Sequence, residues 1–219
     1  MIKPTFLALT TLFLLSFCDT AEERAEAHFQ AGLDLLEAGD VDRALVEFRN
    51  VFKLEGTHRE ARRIYAEAER ARGNIREAYG QYLRLVEQYP DSLPGQRALA
   101  EIALEGDDWE TARRHASLAA ELDPEDRLVQ AVIATVAYRD ALSDDDSAAV
   151  EAAVTKAQAL VEEDPDLMIA WRVVIDDLTR KQEWTAALSA VDTALTQDPD
   201  SRELYTIRLG VLNQLGETR

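Results

Sequence analysis

The 219-residue sequence contains a single cysteine, Cys18. One thiol forms neither an internal disulfide nor a thiolate metal cluster, so no covalent or metal staple holds the fold. Long runs of Val, Ile, Thr and aromatic residues with period 2 are absent, which excludes a β-sheet as the organising structure. Catalytic signatures are missing too: there is no Gly-rich phosphate loop, no nucleophile elbow and no Cys/His pair. The three histidines, His28, His58 and His115, have no partner at metal-ligand spacing. The expectation is a protein that is not an enzyme and carries no metal and no cofactor. Positive charge is short as well, with 24 Lys and Arg against 42 Asp and Glu and a formal net charge of -18. Such a body repels DNA, RNA and an anionic membrane surface, so nucleic acid is not an expected partner.

What is present is helix-forming. Alanine, leucine, glutamate and arginine dominate, and 47% hydrophobic with 30% charged residues is the composition of a folded chain. The first residues stand apart. Met1 to Pro4 is a short basic start, and Phe6 to Phe17 is an apolar run of twelve residues. That run is too short to span a bilayer as a helix and has the length of the apolar part of a secretory signal. Leu15-Ser16-Phe17-Cys18 resembles the bacterial lipobox, with Phe17 where Gly, Ala or Ser is usual. The resemblance implies a signal peptide over residues 1–17, lipid on Cys18, and a lipidated stretch 18–24 leading into the first helix. Several acyl chains would hold the protein stably on a membrane, facing the periplasm. Asp19 resembles an inner-membrane retention signal; the outer membrane is the alternative.

From Ala25 onward the punctuation is periodic. Gly39 is matched by Gly73, and Gly56 by Pro90, Pro124, Pro165 and Pro199, at intervals of 34, 34, 41 and 34 residues. A fixed period of this length marks stacked helical units. Thr20 to Glu23 has the spacing of a capping box, so the first helix is expected over Ala21–Glu37 and the second over Val41–Leu54. Thr57 to Glu60 and Asn74 to Glu77 repeat that spacing. In the third unit the turn glycine falls one place early, at Gly106. Seven extra residues near Ala141 to Ala148 predict an extended helix and a protruding Asp144-Asp145-Asp146-Ser147 loop. That loop lacks the alternating ligands, turn glycine and terminal glutamate of a calcium site and reads as a solvated helix start.

Small residues at Gly32, Ala44, Ala66, Ala78, Ala100, Ala112 and Ala134, with Phe48 and Tyr82 at the aromatic place, make the unit similar to the tetratricopeptide repeat. The resemblance implies an all-α fold, a right-handed α-solenoid of antiparallel helix pairs, over residues 25–219. The units are 25–58, 59–92, 93–126, 127–167 with the insertion, 168–201 and a partial unit 202–219. Leu204, Tyr205, Ile207, Leu209, Val211, Leu212 and Leu215 leave the last helix little polar surface, so the array is expected to continue beyond Arg219. In this family the first helix of each pair lines a concave groove that takes peptides or helices of other proteins. Carried over, the groove holds Phe29 and Leu33 at the front, then Arg63, Arg97 and Arg172, with Arg70, Arg139 and Arg180 nearby. An arginine ladder suits an acidic partner. The competing reading is neutralisation within helices through Arg63–Glu67, Arg97–Glu101 and Arg172–Asp176 at i,i+4. The functional expectation is a membrane-anchored, periplasm-facing scaffold that binds other proteins in envelope or exopolysaccharide-export assembly. The alternative is a regulatory or substrate-delivery subunit of an envelope enzyme whose catalysis resides elsewhere.

Overall fold

The computed structural model describes residues 20–216. Cys18, Asp19, the apolar run before them and residues 217–219 lie outside the described residues. Among the described residues there are eleven α-helices and no strand. They are α1 (Ala21–Glu37), α2 (Val41–Leu54), α3 (Arg59–Ala71), α4 (Ile75–Gln88), α5 (Leu93–Glu105), α6 (Trp109–Leu122), α7 (Arg127–Ser143), α8 (Ser147–Glu163), α9 (Met168–Arg180), α10 (Trp184–Gln197) and α11 (Arg202–Leu215). The chain divides into two compact units, with the boundary after Ala61.

The first unit is built on the α1–α2 hairpin. Thr20 Oγ1 accepts from the Glu23 N–H at 3.1 Å and the Glu23 carboxylate accepts from the Thr20 N–H at 2.7 Å, so both halves of the capping box form. Gly39 ends the helix at φ 77°, a left-handed conformation that favours glycine. On α2 the spacing of Ala44, Leu45, Phe48 and Val51 puts all four on the buried face. Burying a side chain such as Phe48 contributes about 1.5–3 kcal/mol. Gly32 permits this packing: a Cβ there would lie 2.6 Å from Phe48 Cε1.

In the second unit each helix shares an interior with its sequence neighbours. Ala98, Leu99 and Ile102 of α5 pack with Ala66 of α3 and with Ala78, Tyr82 and Leu85 of α4. The next face of α5, with Ala103 and Leu104, meets Ala112, Ala116 and Ala119 of α6 and Val129, Val132 and Val136 of α7. A third cluster joins α7, α8, α9 and α10 to Leu204 of α11. Stacking, not any single pair, builds the core.

Three devices recur. The residue six places after each of three prolines satisfies the proline's own carbonyl in the turn that follows a helix: Gln96 Nε2 donates to Pro90 O at 3.0 Å, Gln130 Nε2 to Pro124 O at 2.7 Å and Trp171 Nε1 to Pro165 O at 2.8 Å. A polar link also ties the helices of four pairs: His28 with Glu47, Arg62 to Gln81, Gln96 with His115, and Lys156 to Gln130. The turn within each of five pairs uses one left-handed residue, and here the expectation for Gly106 is corrected. Gly39 and Gly73 fill the first two places, but the third is Asp107 at φ 58°, followed by Asp145 at 56° and Gln182 at 60°. Gly106 has φ -93° and closes α5 instead.

The insertion is absorbed by helix. α7 and α8 have 17 residues each where the helices of the pairs before and after have 13 and 14, so the turn between them is short. Asp146 Oδ1 accepts from the Ala148 and Ala149 N–H groups and caps α8. Asn74 departs from the expected capping box, because its side chain makes no cap bond and its Nδ2 donates to Glu69 at 2.6 Å.

Candidate functional site

Two cavities open along the first helices of successive pairs in the second unit. The first, of about 370 Å³, lies between α3 and α5 and is lined by Glu67, Arg70, Tyr82, Arg97 and Glu101. Helical spacing puts Glu67 and Arg70 of α3, and Arg97 and Glu101 of α5, on the faces that line it, and opposite charges then close on each other. Arg63 reaches Glu67 at 2.5 Å. Arg70 bridges Glu101 at 2.8 Å and Glu105 at 3.0 Å. Arg97 meets Asp126 at 3.1 Å and, more loosely, Glu101 at 3.8 Å. Burial works to lower the Arg70 pKa, and the carboxylates of Glu101 and Glu105 outweigh it, so the net shift is upward. Burial, with Glu67 adding to it, pushes the Tyr82 hydroxyl up to about 12. Every arginine of the expected ladder on α3 and α5 is thus met by a carboxylate of the chain itself.

The second cavity, of about 400 Å³, runs from the end of α5 across α7 to α9 and has another chemistry. Leu104 and Val173 are buried in its wall, and Leu142 is half-buried. The Arg139 guanidinium sits 4.3 Å above the centre of the Trp109 ring. Tyr138, 5% exposed, donates its hydroxyl to Asp176 at 2.6 Å. Burial first, then that bond to Asp176, raises the Tyr138 pKa, so the phenol stays protonated. Arg172 does not pair with Asp176 as the i,i+4 rule suggests; it reaches Glu203 of α11 at 2.7 Å.

The remaining candidates lie apart from this section. Arg180 is exposed beside a third cleft, of about 530 Å³, next to Asp145, Glu151 and Asp177. Lys181 already occupies the buried Asp177 there, at 2.7 Å. In the first unit Phe29 and Leu33 are half-buried, and Phe29 packs against the Phe48 ring at 6.1 Å and the His58 ring at 4.6 Å. Phe29 is thereby drawn into the interior of its own unit. Sequence reasoning missed Trp109 as a groove residue, since it opens α6 and only the turn after α5 brings its ring under Arg139. Leu104, Leu142 and Val173 went unnoticed because their apolar character reads as core. Among the described residues there is no group of His, Cys, Asp and Glu that could hold a metal ion, and no helix long and apolar enough to cross a membrane.

This architecture, antiparallel helix pairs stacked in sequence order with small residues at the crossings, is that of an all-α solenoid. The tetratricopeptide repeat family model matches residues 35–99, and solved structures of tetratricopeptide-repeat proteins share the fold over most of the chain, so the fold is that of tetratricopeptide-repeat proteins. One such structure is a tetratricopeptide repeat protein from Parabacteroides merdae, 13% identical, with 89% of this chain and 75% of that one covered at a TM-score of 0.64. A second is YrrB, described as a protein of this type with an unusual peptide-binding site, 16% identical over 88% of this chain and 93% of its own, TM-score 0.62. A third is pilF of Pseudomonas aeruginosa, 16% identical over 90% and 86%, TM-score 0.61. No curated protein matches the chain.

Proposed function

We propose that the chain is a membrane-tethered, periplasm-facing scaffold that holds another protein in the α5–α7–α9 section of its groove and serves envelope or exopolysaccharide-export assembly. The observation that carries the binding half is the cavity of about 400 Å³ between these helices, with buried Leu104 and Val173 in its wall and polar groups at its rim. Repeat arrays present such surfaces to extended partners, and YrrB, which shares the fold, is described with a peptide-binding site. The tether rests on the sequence: a basic start, twelve apolar residues and a lipobox-like cysteine at their end. With lipid on Cys18 the array would stand close to a membrane and present its groove to proteins assembling there.

The test is crosslinking in intact cells, followed by mass spectrometry of what the full-length protein captures and of its own mature N-terminus. Recovery of components of one envelope complex together with a diacylated or triacylated Cys18 supports the reading. An unmodified Cys18 on a freely extractable protein overturns the tether. Capture that persists unchanged when Thr135, on the floor of the groove section, is replaced by Arg overturns the binding site.

A further inference from the structure

We propose that the α5–α7–α9 section accepts a side-chain carboxylate of a partner segment, an Asp or Glu between aliphatic neighbours, with Arg139 as its anion-binding group. The inference rests on the reading that this section of the groove is where the partner lies. Its starting point is a difference among the arginines. Carboxylates outnumber Lys and Arg 42 to 24, so an arginine near the groove has every chance of an acidic neighbour. Arg63, Arg70, Arg97 and Arg172 each have one within 3.1 Å. Arg139 has none within ion-pair distance among the described residues. Its recorded contact is the face of Trp109.

That contact matters chemically. A cation–π interaction holds the guanidinium in place without committing its N–H donors to an acceptor. The planar fork of donors, the part of arginine that suits a carboxylate, is therefore left to a ligand. The carboxylates that could compete are engaged elsewhere or stand off: Asp176 accepts from Tyr138, Glu105 pairs with Arg70, and Asp107 at the rim makes no ion pair with Arg139. The apolar lining of the same cavity comes from three helices, Leu104 of α5, Leu142 of α7 and Val173 of α9. Aliphatic residues before and after an acidic one suit an apolar lining spread over three helices, whereas a chain ending in its carboxylate offers residues on one side of the charge only. Expelling water from the apolar wall also strengthens the charge-assisted bond at its edge.

The probes are short labelled peptides with blocked ends, carrying a Leu-Glu-Leu core or its Leu-Gln-Leu isostere, and a third peptide ending in Leu-Leu with a free terminal carboxylate. Each is titrated against the folded protein by fluorescence anisotropy. The glutamate peptide is expected to bind roughly tenfold tighter than the glutamine one, the scale of one charge-assisted bond. Arg139→Gln removes that preference, and Arg139→Lys restores only part of it, because an ammonium lacks the fork. Arg139 is exposed, so an unchanged helical circular dichroism spectrum and Tm verify that the variant folds. Equal binding of the two cores overturns the inference, as does a preference that survives in Arg139→Gln or the absence of binding by any peptide. Tightest binding by the free-terminus peptide replaces the side chain with a chain end as ligand and equally overturns it. Thr135→Arg, which fills the section, separates the two levels. If it abolishes binding that does not discriminate Glu from Gln, the groove stands and the carboxylate falls; if binding is untouched, both fall.

Discussion

The two groove sections of the second unit share a helix, α5, and differ in how their charges are spent. Between α3 and α5, Arg70 and Arg97 converge on Glu101 and reach on to Glu105 and Asp126, so each cation has a partner before any ligand arrives. Between α5, α7 and α9, hydrophobic side chains form the wall, one tyrosine–aspartate bond is made, and Arg139 rests on Trp109. A ligand for the first section must break ion pairs to gain new ones, which returns little net free energy. A ligand for the second gains apolar burial and an uncommitted donor set. The comparison shows that a row of arginines at one repeat position does not by itself make a basic surface; what matters is which carboxylate each one reaches.

The largest expected effect contrasts the wall of the second section with the ion pairs of the first. Leu104 is 6% exposed and shared between the cores of α5, α6 and α7. Leu104→Ala is expected to cost about 2–4 kcal/mol, as for other buried large-to-small changes. Denaturant unfolding measures the loss, and hydrogen exchange should show it concentrated in α5 to α7, since repeats couple to their neighbours. A loss under about 1 kcal/mol would break the comparison by showing this wall to be as loosely packed as a surface.

Next comes the Tyr138–Asp176 bond of that section. Tyr138→Phe removes the hydroxyl that Asp176 accepts and keeps the ring, so a loss of about 1 kcal/mol is expected. The ultraviolet titration of the tyrosines sharpens the point: in the wild-type protein Tyr138 and Tyr82 should both resist ionisation, and the Tyr138 component disappears in the variant. The pH dependence of folding reports on the back of the shared helix. His115 of α6 is buried against Gln96 of α5, with its Nε2 3.3 Å from Arg114. Burial, then the charge of Arg114, lowers its pKa from 6.5. The unfolded chain therefore binds the proton more readily, and stability is full above pH 6.5 and declines as pH falls below it. His115→Gln should flatten that decline in a Tm-against-pH series.

Much of the scaffold was legible in the sequence because its determinants are local. The Thr20–Glu23 box and Gly39 set both ends of α1, and the helical stripe of Ala44, Phe48 and Val51 set the inner face of α2. Where local rules failed, a competing neighbour had won. Asn74 caps nothing because Glu69 takes its amide, and Arg172 bypasses Asp176 because Glu203, 31 residues away, offers a better reach. The seven-residue insertion lengthened two helices, since Ala-rich sequence gains more from helical bonds than from a loop. The Trp109–Arg139 contact had no local signal at all, being made across 30 residues of chain by the stacking of α5, α6 and α7. Fold was written in the period, whereas the site was written in contacts between periods.

Charge removal in the first section should cost little. Glu101→Gln leaves Arg70 with Glu105 and Arg97 with Asp126, so a loss of about 0.5 kcal/mol is expected. Raising the salt concentration should shrink that difference only in part, because Arg70 and Glu101, with side chains 26% and 14% exposed, are screened less than fully exposed ions. A loss as large as that of Leu104→Ala would reverse the comparison and make the ion network the stronger holding element.

The smallest change tests the turn that joins the second section to α6. Asp107 is held at φ 58°, where the equivalent places of the first two turns are glycines at 77° and 79°. An L-residue there carries a backbone cost that Asp reduces but does not remove, while glycine adds entropy to the unfolded chain. The balance favours Asp107→Gly by about 0.5 kcal/mol. Gln182→Gly, at φ 60° in a turn outside both sections, should gain as much or more, because glutamine tolerates this conformation less well than aspartate. Equal gains at both places would show that turn geometry alone sets the effect. A loss at Asp107 alone would mean that its carboxylate contributes to the section it borders, and the account of Arg139 as the group left to a ligand would have to include it.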